Sequence, residues 1–225
     1  VVLAGGESGG LYRTTDKGLN WTTLTQGITH GAFTAVKSHP TDEQTFYAAT
    51  SGKIIKSTNG GATLTTSFSF SGLDVREFAI STTDPNVIIA ACEEGILRTT
   101  NGGASWSWIN TSNTWTVKQK PGDGTTFFAI RKNGAGADFL TSTDSGGSWS
   151  VSNSGLYQPM TGEAVTGAII AVCPSEPARV YAYFCGSGSN LSGFIGVFKS
   201  INSGASWSNT HPTSAIGNSP TEYSV

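Results

Sequence analysis

The chain has 225 residues, 15 acidic against 13 basic side chains, and a formal net charge of -2. Charged residues are only 12% of it, while glycine reaches 29 positions, roughly twice the usual share. That balance excludes a charged disordered tail and a helical bundle. The scattered charge leaves no footprint for nucleic acid, and no apolar run approaches the ~20 residues that span a bilayer. Any membrane association would be peripheral at most. The composition is that of an all-β protein.

Taken in chain order, short apolar runs alternate with Pro, Gly and Asp turns. Val1 to Gly5 reads as a strand that leads into the octet Thr14-Thr15-Asp16-Lys17-Gly18-Leu19-Asn20-Trp21. Next come strands at Phe33–Val36, Phe46–Ala49 and Ile54–Lys56, a second octet at Ser57–Leu64, and a strand leaving it. The third unit has Val75–Phe78, Val87–Ala90, Ile96–Arg98 and the octet Thr99–Trp106. The fourth has Trp115–Val117, Thr126–Ala129, Phe139–Thr141 and Ser142–Trp149. The fifth has Ala168–Val172, Val180–Tyr183, Ile195–Phe198 and Ser200–Trp207, and Thr221–Val225 looks like the inner strand of one more unit. The final octet positions are separated by 43, 42, 43 and 58 residues, the period of a four-stranded propeller blade.

The expected architecture is therefore a β-propeller of four-stranded antiparallel blades. It is divided as a partial blade at 1–28, blades at 29–70, 71–110, 111–151 and 152–210, and the start of another at 211–225. The first unit lacks an inner strand. Either the tail strand completes it and closes a five-bladed ring, or the chain is a segment of a larger ring in a longer polypeptide with further domains; the second arrangement is the expected one.

Each octet makes sense as a corner between two strands. Asp16, Asn59, Asn101, Asp144 and Asn202 at the third position can bond backbone N–H groups two residues on. Glycine at the fifth supplies a positive φ. Trp21, Trp106, Trp149 and Trp207 at the eighth offer a large apolar face to a neighbouring blade, a role weakened where Leu64 replaces Trp. Three of the five acidic-type positions are amides, so the corners are structural rather than catalytic or calcium-binding.

The pattern Ser/Thr-x-Asp/Asn-x-Gly-x-x-Trp resembles the Asp-box, or bacterial neuraminidase repeat. Residues 84–106 look much like blades of sortilin-type and xyloglucanase-type propellers. Gly193–Trp207 resembles Asp-box proteins secreted by Bacteroidetes, which often carry a sorting domain for type 9 secretion. The resemblance implies a secreted or cell-surface propeller, but it covers hydrolases, receptors and assembly factors alike. A sialidase would need an arginine triad drawn from Arg13, Arg76, Arg98, Arg131 and Arg179, and the family's Arg-Ile-Pro segment is absent. Arg13 and Arg98, just ahead of corners, read as surface-facing strand residues.

Hydrolysis of the xyloglucanase type is the enzyme alternative, and it needs two carboxylates across a glycosidic bond. Loops at the end opposite the corners offer Glu7, Asp74, Glu93, Glu94, Asp138 and Glu163. Trp108, Trp115 and Tyr157 are the aromatic rings placed to stack on sugars. Two insertions, Ser152–Gly162 and Gly186–Gly193, are expected to lengthen loops on that same face, where binding usually resides.

His30, His39 and His211 share no spacing with a cysteine, so no metal or cofactor is expected. Cys92, Cys173 and Cys185 read as small buried hydrophobes, with a Cys173–Cys185 disulfide not favoured. The expected function is recognition of a glycan or protein partner.

Overall fold

A computed structural model describes residues 1–6, 10–24, 32–71, 74–188 and 191–210. Glu7, His30, His211 and the expected strand at 221–225 lie outside them. Among the described residues the chain is all β, a β-propeller segment of five antiparallel sheets. Sheet 1 holds β1 (Val2–Gly5), β2 (Leu11–Thr14) and β3 (Thr22–Thr23). Sheet 2 holds β4 (Phe33–Ser38), β5 (Phe46–Thr50), β6 (Lys53–Ser57) and β7 (Thr65–Ser69). Sheet 3 holds β8 (Val75–Ile80), β9 (Ile88–Cys92), β10 (Ile96–Thr99) and β11 (Ser107–Asn110). Sheet 4 holds β12 (Thr114–Gln119), β13 (Phe127–Asn133), β14 (Gly136–Ser142) and β15 (Ser150–Val151). Sheet 5 holds β16 (Glu163–Val172), β17 (Val180–Gly188), β18 (Leu191–Ser200) and β19 (Ser208–Asn209). Each sheet is a simple meander. The inner strands β4, β8, β12 and β16 pack side by side in that order, and β1 sits against β4.

Side chains alternate across each strand, so every sheet has two faces to bury, and the cores lie between sheets. Leu11, Phe33, Phe46 and Ile55 fill the gap between sheets 1 and 2. Tyr47, Ile54, Phe78 and Ile88 fill the next. Ile89, Ile96, Phe127 and Leu140 fill the third. Phe128, Ile130, Phe139, Phe184 and Phe198 fill the last.

The octets form one corner five times over. The first-position hydroxyl accepts the N–H of the fifth residue, at 3.0 Å from Gly18, 2.9 Å from Gly61, 3.0 Å from Gly103, 2.8 Å from Gly146 and 2.9 Å from Gly204. It donates to the Oδ1 of the third residue. That Oδ1 accepts the N–H of the seventh residue at 2.9 Å in all five. The bond therefore reaches four residues on, not two as the turn chemistry alone suggested.

The remaining side-chain atom of the third residue pairs with the seventh side chain. An Asn donates to a hydroxyl (Asn59 to Thr63, Asn101 to Ser105, Asn202 to Ser206). An Asp accepts (from Asn20 and Ser148). A hydroxyl serves in either direction, which is why Asp and Asn interchange at this site. Both the fourth and fifth positions take positive φ, the fourth even where it is not glycine: Lys17 at 61°, Ser145 at 60° and Ser203 at 57°. Such strain is held by its surroundings. From sheet 2 on, the fourth residue's N–H donates to the turn joining the first two strands of its own sheet, at Gln44, Asn86, Thr125 and Ala178.

The eighth residue of each corner packs toward the preceding sheet. Leu64, Trp106, Trp149 and Trp207 join, in turn, the cores between sheets 1 and 2, 2 and 3, 3 and 4, and 4 and 5. Trp207 meets Phe139 edge-on at 4.7 Å, and the Trp106 indole N–H reaches Ser67 Oγ at 2.9 Å. Trp21, whose sheet has no preceding neighbour among the described residues, is 45% exposed against 8% for Trp106 and 7% for Trp207. The wedge role expected of all the indoles fails at Trp21 because a wedge needs two walls.

Other expectations change in detail. The pairing of inner and second strands slips at one equivalent place in all four complete sheets, around Thr34, Arg76, Trp115 and Thr166. Such bulges re-aim a side chain. In sheet 5 the inner strand begins at Glu163, and Gly186–Gly188 and Leu191–Gly193 belong to β17 and β18. The second insertion lengthens a hairpin, not a loop. All three cysteines are free; Cys92 is buried, whereas Cys173 and Cys185 are only half-buried.

Replacing Trp207 with Ala should cost about 3–5 kcal/mol of stability in a urea titration, as for other buried aromatic truncations. Trp21→Ala should cost no more than about 0.5 kcal/mol, the range of ordinary surface changes.

Candidate functional site

Two ends of the sheets can carry a site. At the corner end, a cavity of about 380 Å³ is lined by Lys37, Phe78, Ile80, Val117, Lys118 and Gln119, among others, without a carboxylate. Beside it Glu77 on β8 accepts from Thr116 Oγ1 at 2.7 Å and the Val117 N–H at 3.0 Å, and pairs with Lys118. Glu77 thus ties one inner strand to the next. A lone Glu inside a strand pattern gave no sequence signal for this.

The hairpin end carries the remaining described carboxylates of interest, and most of them are occupied. Asp138, buried on β14, is bound by Arg131 through Nε at 3.1 Å and a second guanidinium nitrogen at 2.9 Å. Asn133 and Asn153 also donate to it, at 3.1 and 2.8 Å. Burial opposes its charge, yet the bonds from Asn153, Asn133 and Arg131 prevail and hold it below the usual carboxylate range. Glu163, buried at the start of β16, accepts a short bond from the Tyr157 hydroxyl and the Met160 N–H at 3.0 Å. Those bonds depress its pKa and raise that of Tyr157, where burial is the larger cause. Glu93 pairs with Arg76 at 2.8 Å.

Asp74 and Glu94 differ. Each has one buried carboxylate oxygen, Asp74 Oδ1 and Glu94 Oε2, without a hydrogen-bond partner. The Glu93 N–H donates to the Asp74 carbonyl at 3.1 Å, which sets the backbone of Asp74 beside that of Glu93 and Glu94. Burial, and then the charge of Glu93, push Glu94 upward.

The aromatic residues separate in the same way. Trp115 is the bulged residue of β12 and lies in the core between sheets 4 and 5, so it is not a sugar platform. Tyr157 packs on that core with its hydroxyl committed to Glu163. Trp108, on the outer strand β11, is about one-third exposed, and the Phe70 ring meets it edge-on at 6.3 Å. Phe68 stacks on Phe70 at 5.9 Å. Sequence reasoning missed Phe68 and Phe70, which look like ordinary strand residues.

The first insertion is pinned rather than open. The Ser152 N–H donates to the Phe139 carbonyl, the Phe139 N–H to Asn153 Oδ1, and the Trp207 N–H to the Ser154 carbonyl. Leu156 is buried in the core. Arg13 and Arg98, read as surface-facing, bond across to the following sheet at the Glu43 and Ser145 carbonyls. Among the described residues no three His, Cys, Asp or Glu side chains converge as a metal set.

No protein-family model and no curated protein sequence matches the chain. Solved structures do. A GH74 xyloglucanase from Xanthomonas campestris superposes with a TM-score of 0.70 at 18% identity, over 96% of this chain and 37% of that one. A GH74 enzyme from Niastella koreensis gives 0.65 at 17%, over 96% and 49%. YCF48 bound to D1 peptide gives 0.59 at 16%, over 93% and 64%. At these identities the likeness establishes the propeller fold. The chain spans less than two thirds of the length of each of these structures.

Acid should weaken the fold through its corner and turn carboxylates. Hydrogen bonds, first from Thr14 and from Thr126, lower Asp16 and Asp123 from 3.8 to about 2, and Asp144 is lowered further by Ser148. Because these folded-state values lie below the unfolded ones, the stabilisation is present above about pH 4 and is lost as pH falls towards 2. Asp144→Asn, which can bond Ser148 as Asn202 bonds Ser206, should flatten that fall when unfolding is followed from pH 5 to pH 2.

Proposed function

We propose that this propeller is a recognition module, secreted or held at a cell surface, that engages a glycan or protein partner at its hairpin end. The observation that carries the reading is the state of the carboxylates there. Asp138, Glu163 and Glu93 are each committed to structural bonds, while Trp108 presents an exposed ring braced by Phe70. A braced ring with one open face suits stacking on a sugar ring or an apolar side chain. The resemblance of the repeat to those of secreted proteins supports the location, and the likeness to both GH74 enzymes and peptide-bound YCF48 is compatible with either ligand class.

One observation favours a second reading, glycoside hydrolysis by a carboxylate pair. Asp74 and Glu94 each keep a buried carboxylate oxygen without a partner, on segments joined by the backbone bond from Glu93 to Asp74, and burial raises the pKa of Glu94.

One assay separates the two. The chain is presented to β-glucans, including xyloglucan, and to a peptide library, with bound ligand and new reducing ends both measured. Recognition predicts retention of a ligand, no reducing ends, and a loss of about tenfold or more on Trp108→Ala, as for interface hot spots. Release of reducing ends that Asp74→Asn or Glu94→Gln abolishes would establish the enzyme instead.

A further inference from the structure

Neighbouring sheets are joined by a polar latch as well as by apolar packing. In sheets 1, 2 and 3 the residue just before the corner donates to the following sheet; in sheet 4 that residue is Thr141, which makes no such bond among the described residues. Lys56 Nζ reaches the carbonyl of Gly102, the fourth residue of the sheet 3 corner, at 2.8 Å. Arg98 Nε reaches the carbonyl of Ser145, the fourth residue of the sheet 4 corner, at 2.7 Å. Arg13 reaches the Glu43 carbonyl of sheet 2 at 3.2 Å. In sheet 2 the latch is double. Tyr47 lies opposite Lys56 in register, the ammonium sits 5.5 Å from its ring centre, and its hydroxyl donates to the same Gly102 carbonyl at 2.9 Å.

Sheet 5 carries the same pair. Lys199 stands immediately before its corner, and Tyr181 lies opposite it in register, as Tyr47 lies opposite Lys56. Their ammonium and hydroxyl meet no acceptor among the described residues. The face they stand on is apolar, and no sheet covers it among the described residues. Ile169 is 62% exposed and Tyr183 40%, whereas Ile130 and Phe139 on the corresponding face of sheet 4 are fully buried by sheet 5. At the other end of the row, sheet 1 leaves Val2, Tyr12 and Trp21 exposed.

We infer that the Ile169–Tyr181–Tyr183–Lys199 face of sheet 5 is an interface for a further four-stranded sheet of the same polypeptide, whose corner turns its fourth carbonyl to Lys199 and Tyr181. The occupant follows from continuity with the interface already seen between sheets 2 and 3, down to the paired donors. The sequence Thr221–Val225, read as an inner strand, follows Trp207 at the same interval at which Glu163 follows Trp149. A second copy that continued the row would join its sheet 1 to this sheet 5, a contact between unlike surfaces that need not close and risks open-ended assembly, and one joined face to face would offer Lys199 and Tyr181 no corner carbonyl in the place of Gly102.

Amine footprinting tests this. Acetylation of Lys56 and Lys199 is followed by mass spectrometry in the 225-residue chain and in the product of the complete reading frame that encodes it. In the 225-residue chain Lys199 should react about tenfold faster than Lys56, the ratio expected for one charge-assisted hydrogen bond. In the full product the two rates should converge. A reading frame that ends at Val225, a Lys199 rate unchanged in the full product, or Lys199 protection that rises with concentration of the 225-residue chain would each overturn the inference, the last in favour of a second copy.

Discussion

The structure depends on one constraint: a sheet in this protein has two apolar faces and cannot bury both by itself. Each four-stranded unit therefore stabilises only what its neighbours cover, and the corner is the device that brings the neighbours together. It turns the chain with five bonds that involve a side chain and one between backbone groups, all closed within eight residues, and aims its last residue into the gap behind. The apolar cores sit in the gaps between sheets, with Phe128, Phe139, Phe184 and Trp207 in one and Tyr47, Ile88 and Trp106 in another. Stability in such a row is a sum of units and of nearest-neighbour contacts.

Much of this was legible because the corner writes itself in polar residues at fixed spacing. The hydroxyl, the Asp or Asn, and the glycine are each required by a bond or a φ value, so they recur where hydrophobic residues vary. What the spacing could not show was the reach of the third residue. Asp16 or Asn59 bonding four residues on requires the fourth position as well as the fifth to take positive φ, and Lys17, Ser145 and Ser203 hide that requirement behind ordinary side chains. The exposure of Trp21 was equally invisible. An indole is buried by a neighbour, and no local pattern states whether one is there.

The hairpin end was less legible for a different reason. Carboxylates can be listed from sequence, but their partners come from other strands. Arg131 and Asn153 reach Asp138 across seven and fifteen residues, and Tyr157 reaches Glu163 from the inserted segment. Trp115 was misplaced because a bulge re-aims it into the core, where strict alternation assigns it no such place. The Gly186–Gly193 stretch looked like a loop through its glycines and serines, yet backbone ladder bonds need no side chains, and it extends β17 and β18. The site proposed here is smaller than the sequence suggested: Trp108 with Phe70 and Phe68, and, for the second reading, the unpartnered oxygens of Asp74 and Glu94.

The claim on which the account rests is that each corner indole is buried by the sheet before it. Labelling the chain with 5-fluorotryptophan and comparing fluorine shifts in light and heavy water measures this residue by residue. The account predicts a large solvent shift for Trp21, near-zero shifts for Trp106 and Trp207, and a rise at Trp207 when Phe139 is cut to Ala. Equal shifts at Trp21, Trp106 and Trp207 would contradict it.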